Sequence, residues 1–169
     1  MPDTPHQPSY PRETIEQLVA GSLPWRDLKG MMSSFKDPGR FDLYVDILQR
    51  QLDWEDRILL ALSEKLFIVQ RPDGARVTKS RAGFDFGDYR RNWKLNALIF
   101  ERDTDELMDE VYPRLTGADP RWMTLREFYC PASLTLLDVE AVPPGYPVVH
   151  AFQPDLEGFY REWLGRPLD

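Results

Sequence analysis

Arg126-Glu127-Phe128-Tyr129-Cys130-Pro131-Ala132-Ser133-Leu134-Thr135-Leu136-Leu137-Asp138-Val139-Glu140 is the stretch that decides the fold. Its apolar and aromatic residues predict one strand over Trp122–Tyr129 and another over Leu134–Val139, joined by a tight proline turn. Cys130 is the only cysteine in 169 residues. A Cys-Pro-x-x turn is where a metal knuckle places two thiolates, at its first and fourth positions. The fourth position here is Ser133, so the turn has the form of a metal knuckle without its second thiolate.

Upstream, the chain changes character twice. Met1–Pro11 carries four prolines and reads as a tail, with His6 as a solvated spacer. Three helical segments are predicted next. Thr14–Val19 places Ile15, Leu18 and Val19 on one face; a second starts at Pro24 and reaches Met31 or Met32. The third, Arg40–Gln51, repeats Phe41, Tyr44, Val45 and Leu48 at helical spacing. Asp53, Glu55 and Asp56 read as a solvated acidic turn in preference to a metal or acid–base set, since nothing nearby provides histidine or a phosphate loop. Leu66–Gln70 and Ala75–Thr78 flank Pro72-Asp73-Gly74 as a hairpin. Gly83-Phe84-Asp85-Phe86-Gly87 is a glycine-bracketed aromatic turn. Its Asp-Phe-Gly letters have neither the phosphate loop nor the catalytic loop of a kinase around them. Trp93–Phe100 is predicted as a strand, and a capped helix follows Asp103 with Leu107, Met108, Val111 and Leu115 on its apolar face. After Glu140, Pro143–Pro147 reads as an extended crossing, Val148–Phe152 as a short strand or arm. Asp155 caps a terminal helix bearing Leu156, Phe159, Tyr160 and Trp163.

The expected class is α+β, in three parts. Residues 1–63 form a tail and helical part, 64–140 a small antiparallel zinc-ribbon-like β core with a degenerate metal site, and 141–169 an extended C-terminal arm with a terminal helix. Net charge −7 argues against nucleic acid, because phosphate neutralisation needs a basic surface. One cysteine precludes an internal disulfide and fits a reducing compartment. Neither a secretion signal nor an apolar run of roughly 18 residues is visible, so a soluble cytoplasmic protein away from membranes is expected.

Candidate chemistry is sparse. Residues 71–94 hold seven basic side chains, Arg90 and Arg91 among them, against three acids, a segregation that suits an acidic partner or a solvated strand face. Two histidines and one cysteine supply no evident nucleophile–base pair; Cys130 with His150 is the one conceivable pairing, and a lone cysteine behaves as a small buried hydrophobe. The terminal aromatics Phe159, Tyr160 and Trp163, with Tyr146 on the arm, are candidate anchors for another subunit.

Several stretches together carry a resemblance: 41–51 (FDLYVDILQRQ), 65–70 (KLFIVQ), 92–95 (NWKL), 102–104 (RDT) and 110–115 (EVYPRL). The later ones are 127–131 (EFYCP), 136–140 (LLDVE), 146–150 (YPVVH) and 154–164 (PDLEGFYREWL). In this order they resemble the small gamma subunit of acetone carboxylase and its relative in acetophenone carboxylase, from about Pro24 onward. The resemblance implies a non-catalytic structural or regulatory subunit of a cytoplasmic, biotin-independent, ATP-dependent ketone carboxylase. Larger hydantoinase-like subunits would bind ATP and a divalent metal and make a 3-oxo acid from ketone and bicarbonate. It further implies a zinc module whose ligand positions fall here on Ser80, Ala82, Gly87, Cys130 and Ser133. Only Cys130 is a ligand, so neither metal nor cofactor is expected in this chain, and the loss points towards the acetophenone-type branch. With zinc gone, Phe84, Phe86, Leu134 and Leu137 are expected to hold the strands by packing. The alternative reading is a stand-alone degenerate zinc-ribbon adaptor that binds an acidic protein.

Overall fold

A computed structural model of the chain describes residues 10–34, 37, 39–113 and 116–168. It divides into two compact units, one of described residues up to Ala61 together with those from Pro154 on, the other of Leu62–Gln153.

The first unit is helical. Helices α1 (Arg12–Val19), α2 (Trp25–Ser33) and α3 (Arg40–Gln49) bury Ile15, Met31 and Ile47 in one cluster, with Leu18, Leu23 and Tyr44 packed round it. These are residues at helical spacing, as the sequence pattern requires of a one-sided helix. Helix α1 stops because Gly21 adopts φ +68, which lets the Ser22 N–H reach the Gln17 carbonyl (2.9 Å) and the Gly21 N–H reach that of Leu18 (3.2 Å). Strand β1 (Arg57–Ala61) follows, with Ile58 and Leu59 buried. The turn before it is held by Gln49, whose amide donates to the Asp56 carbonyl (3.1 Å) and accepts from the Ile58 N–H (2.9 Å). Asp53 and Glu55 are exposed there.

The C-terminal turn completes this unit. Asp155 accepts from the Gly158 N–H (2.9 Å), starting α5 (Leu156–Gly158), which continues as a π-helical turn over Phe159–Trp163. Phe159 packs edge-on against Phe41 with ring centres 5.0 Å apart. The Tyr160 hydroxyl donates to the Leu59 carbonyl (2.9 Å), and Arg166 pairs with Asp42.

The second unit carries two sheets. Strands β2 (Leu66–Gln70), β3 (Arg76–Ser80) and β4 (Asp85–Asp88) run antiparallel with β3 central, and the β2–β3 register aligns Leu66 with Ser80 and Gln70 with Arg76. Strands β5 (Leu98–Arg102), β6 (Thr124–Tyr129) and β7 (Leu136–Val142) form the other sheet in that order, also antiparallel. Leu66, Phe86, Trp93 and Phe128 make the core cluster; Phe84 and Leu137 pack on it.

Four expectations change. The predicted strand Trp93–Phe100 is two elements, because the Asn92 side chain accepts from the Lys94 N–H (3.2 Å) and starts a 3-10 turn over Trp93–Asn96; only Leu98–Arg102 is strand. The helix after Asp103 is one short turn, α4 (Asp105–Asp109), capped by Thr104; Leu115 of its expected face lies outside the described residues, as do His6 and the tail up to Ser9. Leu134 is 67 % exposed and does not pack. Residues 141–169 are not a separate part. Residues 141–153 belong to the β unit, where the Tyr146 carbonyl accepts from Arg126 (2.8 Å) and the Val148 carbonyl from Asn92 (3.0 Å), and the terminal turn belongs to the helical unit.

Candidate functional site

Two tight turns face each other in the β unit. In the first, Ser80–Gly83, the Gly83 N–H donates to the Ser80 carbonyl (2.9 Å). In the second, Cys130–Ser133, the N–H groups of Ser133 and Leu134 converge on the Cys130 carbonyl at 3.3 and 2.8 Å. The buried Cys130 thiol donates to the Ser80 hydroxyl at 3.4 Å. An open pocket of about 260 Å³ lies between the turns, lined by Lys65, Ser80, Ala82, Cys130, Ser133 and Leu137. Four of the five positions read as former ligands therefore meet. Gly87 does not line the pocket; it stands in β4 at φ +88.

The donor set does not fit zinc. A structural site takes about four ligands from thiolate, imidazole or carboxylate, and the four positions that meet here offer one thiol beside two hydroxyls and an alanine methyl. Among the described residues no group of three or more His, Cys, Asp or Glu is placed to hold a metal ion. Burial pushes the pKa of the Cys130 thiol up, but hydrogen bonding with the Ser80 and Ser133 side chains and the N–H groups of Ala132 and Ser133 outweighs it and leaves that pKa below its usual value. Leu134, next in the chain, has φ +54, the one non-glycine residue with positive φ among those described. The backbone thus keeps a left-handed position where glycine would be unstrained.

A charge network centred on the buried cations Lys94 and Arg126 and on Arg102 runs over both faces of β5–β6–β7, and sequence reasoning missed it. Lys94, 6 % exposed in its side chain, pairs with Asp138 (2.6 Å) and Glu140, and its ammonium lies 4.8 Å from the centre of the Phe128 ring. Arg126 pairs with Glu101 at 2.7 Å. On the other sheet face Arg102 holds Glu127 (2.8 Å) and Glu110 (2.6 Å), while the Tyr129 hydroxyl donates to Glu127 (2.6 Å). The strand register places Arg126 directly between Glu101 and Glu140, which is the cross-strand signal that alternation alone does not reveal. Burial pushes Lys94 down and its two carboxylates more than reverse this, so it stays protonated.

His150 lines a different pocket, of about 200 Å³, with Trp93, Lys94, Asp138 and Phe152. The Cys130–His150 pairing is not made: the thiol's partner is Ser80. Two of the seven basic side chains of residues 71–94 pair with acids of the same segment, and Lys94 pairs with acids of β7. Arg71 pairs with Asp73 and Asp85 (both 3.2 Å) and Arg90 with Asp88 (2.6 Å), while Arg91 is exposed. Arg90 holds the Asp88 carboxyl down at about 2. Among the candidate anchors Tyr160 is buried and Phe159 half-buried against Phe41, so both serve the helical unit. Trp163 (75 % exposed) and Tyr146 (45 %) present their rings outward. No described helix is long and apolar enough to cross a membrane.

The comparisons with known proteins agree on one family. The sequence pattern described as "Acetone carboxylase gamma subunit" matches residues 52–164. A protein of that name from Xanthobacter autotrophicus is 48 % identical over 161 residues, covering 95 % of this chain and 96 % of its own length. The "Acetophenone carboxylase beta subunit" of Aromatoleum aromaticum is 29 % identical over 70 residues, 40 % of this chain and 54 % of its own. The expected leaning towards the acetophenone-type branch is therefore not supported. That leaning rested on a few positions, and similarity over the whole length outweighs it.

Proposed function

We propose a function from one premise: the chain belongs to the acetone carboxylase gamma subunit family. A gamma subunit of a multi-subunit carboxylase works with partner subunits, and the chain is read here as a non-catalytic, structural or regulatory one. In this reading larger, hydantoinase-like partners bind ATP and a divalent metal in the cytoplasm and carboxylate acetone to a 3-oxo acid. The observation that carries it is the 48 % identity extending over 95 % of the chain to an acetone carboxylase gamma subunit. The residues support the same division of labour. The thiol is tied to Ser80, the imidazole lies in another pocket, and Lys94, which lines that pocket too, is neutralised by two carboxylates. Native mass spectrometry of the chain co-expressed with the larger subunits of an acetone carboxylase, together with metal analysis, tests it. The expected result is a stoichiometric hetero-oligomer whose metal content stays the same when Cys130 is replaced by Ser. A chain that stays alone would contradict it.

A further inference from the structure

We propose that the outer edge of β5 (Leu98–Arg102) receives an added strand from a larger subunit of the carboxylase, an inference that rests on the proposed function. In the order β5-β6-β7, β5 pairs with β6 alone. Its first three residues are apolar and open to solvent, Leu98 at 47 %, Ile99 at 42 % and Phe100 at 40 %. Alternate residues of a strand point to opposite faces, so apolar surface is exposed on both sides of this edge. Proteins normally blunt such edges with lysine, proline, a bulge or a charge turned into the sheet. Strand β5 has none free for that purpose: Glu101 is paired with Arg126, and Arg102 with Glu127 and Glu110. The opposite edge strand, β7, carries such a bulge, since its pairing with β6 shifts register between Phe128 and Tyr129.

The geometry distinguishes strand addition from docking on a face. A partner lying on one face would cover Leu98 and Phe100 and leave Ile99 in water, whereas an added strand with alternating side chains covers all three. Charge narrows the occupant. A second copy brings another −7, and like net charges oppose self-association. Strand β5 also runs directly into exposed Asp103, Asp105 and Glu106, with Asp109 close behind, and these border one open acidic pocket. The fitting segment is extended, alternates apolar side chains, and carries Lys or Arg at the end that meets these carboxylates.

The test is co-purification of the tagged full chain with the co-expressed larger subunits, paired with amide hydrogen exchange. Ile99→Lys is expected to lower recovery of the larger subunits at least about 10-fold, as hot-spot substitutions do. Because Ile99 is exposed, the melting temperature of the isolated variant should stay within about 2 °C of wild type. Asp103→Lys should lower recovery several-fold, and Val139→Lys on β7 should not. In the wild type, the amides of 98–102 should slow on assembly. Normal recovery with Ile99→Lys and unchanged exchange in 98–102 would overturn the edge while leaving the proposed function standing. Loss with Val139→Lys and not with Ile99→Lys would mean face docking and overturn it too. A wild-type chain that dimerises through protected 98–102 amides identifies a second copy as the occupant. Wild type that captures no larger subunit overturns both the edge and the proposed function.

Discussion

Lys94 has two carboxylates and two aromatic rings around one ammonium, at a position 6 % exposed in its side chain. Removing the cation leaves Glu140, 15 % exposed in its side chain, desolvated without it, and breaking a buried pair costs about 3–5 kcal/mol. Lys94→Met should therefore cost about that much in urea unfolding, while Arg91→Met, at an exposed position, should change stability by less than about 0.5 kcal/mol. Leu134 illustrates the opposite case. Its φ of +54 costs a non-glycine residue about 1–2 kcal/mol, part of which glycine's larger unfolded-state entropy offsets. Leu134→Gly should accordingly raise stability by about 0.5–1 kcal/mol and Leu134→Val lower it. Glu127 sets a pH dependence. Burial pushes its carboxyl up, the hydrogen bonds from Arg102 and Tyr129 outweigh this, and its pKa falls below the ordinary 4.5. A group depressed on folding contributes stability above its unfolded pKa and loses it as pH falls through the folded value. The urea midpoint should thus drop as pH falls below 4.5, and less steeply in Tyr129→Phe. Of these residues, Cys130 and its turn were legible in the sequence because the chemistry is local. Lys94 was not: a lysine in a basic run reads as solvated until the register of three strands places Asp138 and Glu140 over it.

At the level of elements, what could be read depended on whether the cause was local. Helices α1, α2 and α3 and the β2–β3 hairpin followed from periodicity and from Pro72-Asp73-Gly74, since each is decided within its own residues. The 3-10 turn at Trp93–Asn96 did not, because one Asn92 side chain overrides the strand preference of the aromatic and β-favouring residues after it. The terminal turn separates two residues that look equivalent in sequence. Tyr160 is buried and bonded to the Leu59 carbonyl, whereas Trp163 is 75 % exposed. Tyr160→Ala should cost about 3–5 kcal/mol in the isolated chain. Trp163→Ala should leave that stability within about 0.5 kcal/mol and instead weaken assembly with the larger subunits. Urea unfolding of both isolated variants, beside co-purification, separates the two roles.

Taken whole, each of the two units holds a buried apolar cluster, and many chemistry-bearing side chains are used internally: a thiol on a serine, a lysine on two carboxylates, arginines on neighbouring acids. Beside its exposed charged groups the chain leaves large apolar and aromatic side chains open to solvent: β5, Trp163, Tyr146. Such a surface suits a member of an assembly more than a free-standing catalyst. The α+β class was readable from helix and strand patterns and the family from collinear aromatic stretches, while the branch was misread because a few positions were weighed above overall similarity. The most direct measurement of the central claim is ATP hydrolysis dependent on acetone and bicarbonate, made on the isolated chain, on the larger subunits alone, and on the reconstituted complex. The account predicts no turnover by the isolated chain and full turnover by the complex, unchanged when Cys130 is replaced by Ser or His150 by Gln. Turnover by the isolated chain, or its loss in either variant of an intact complex, would contradict it.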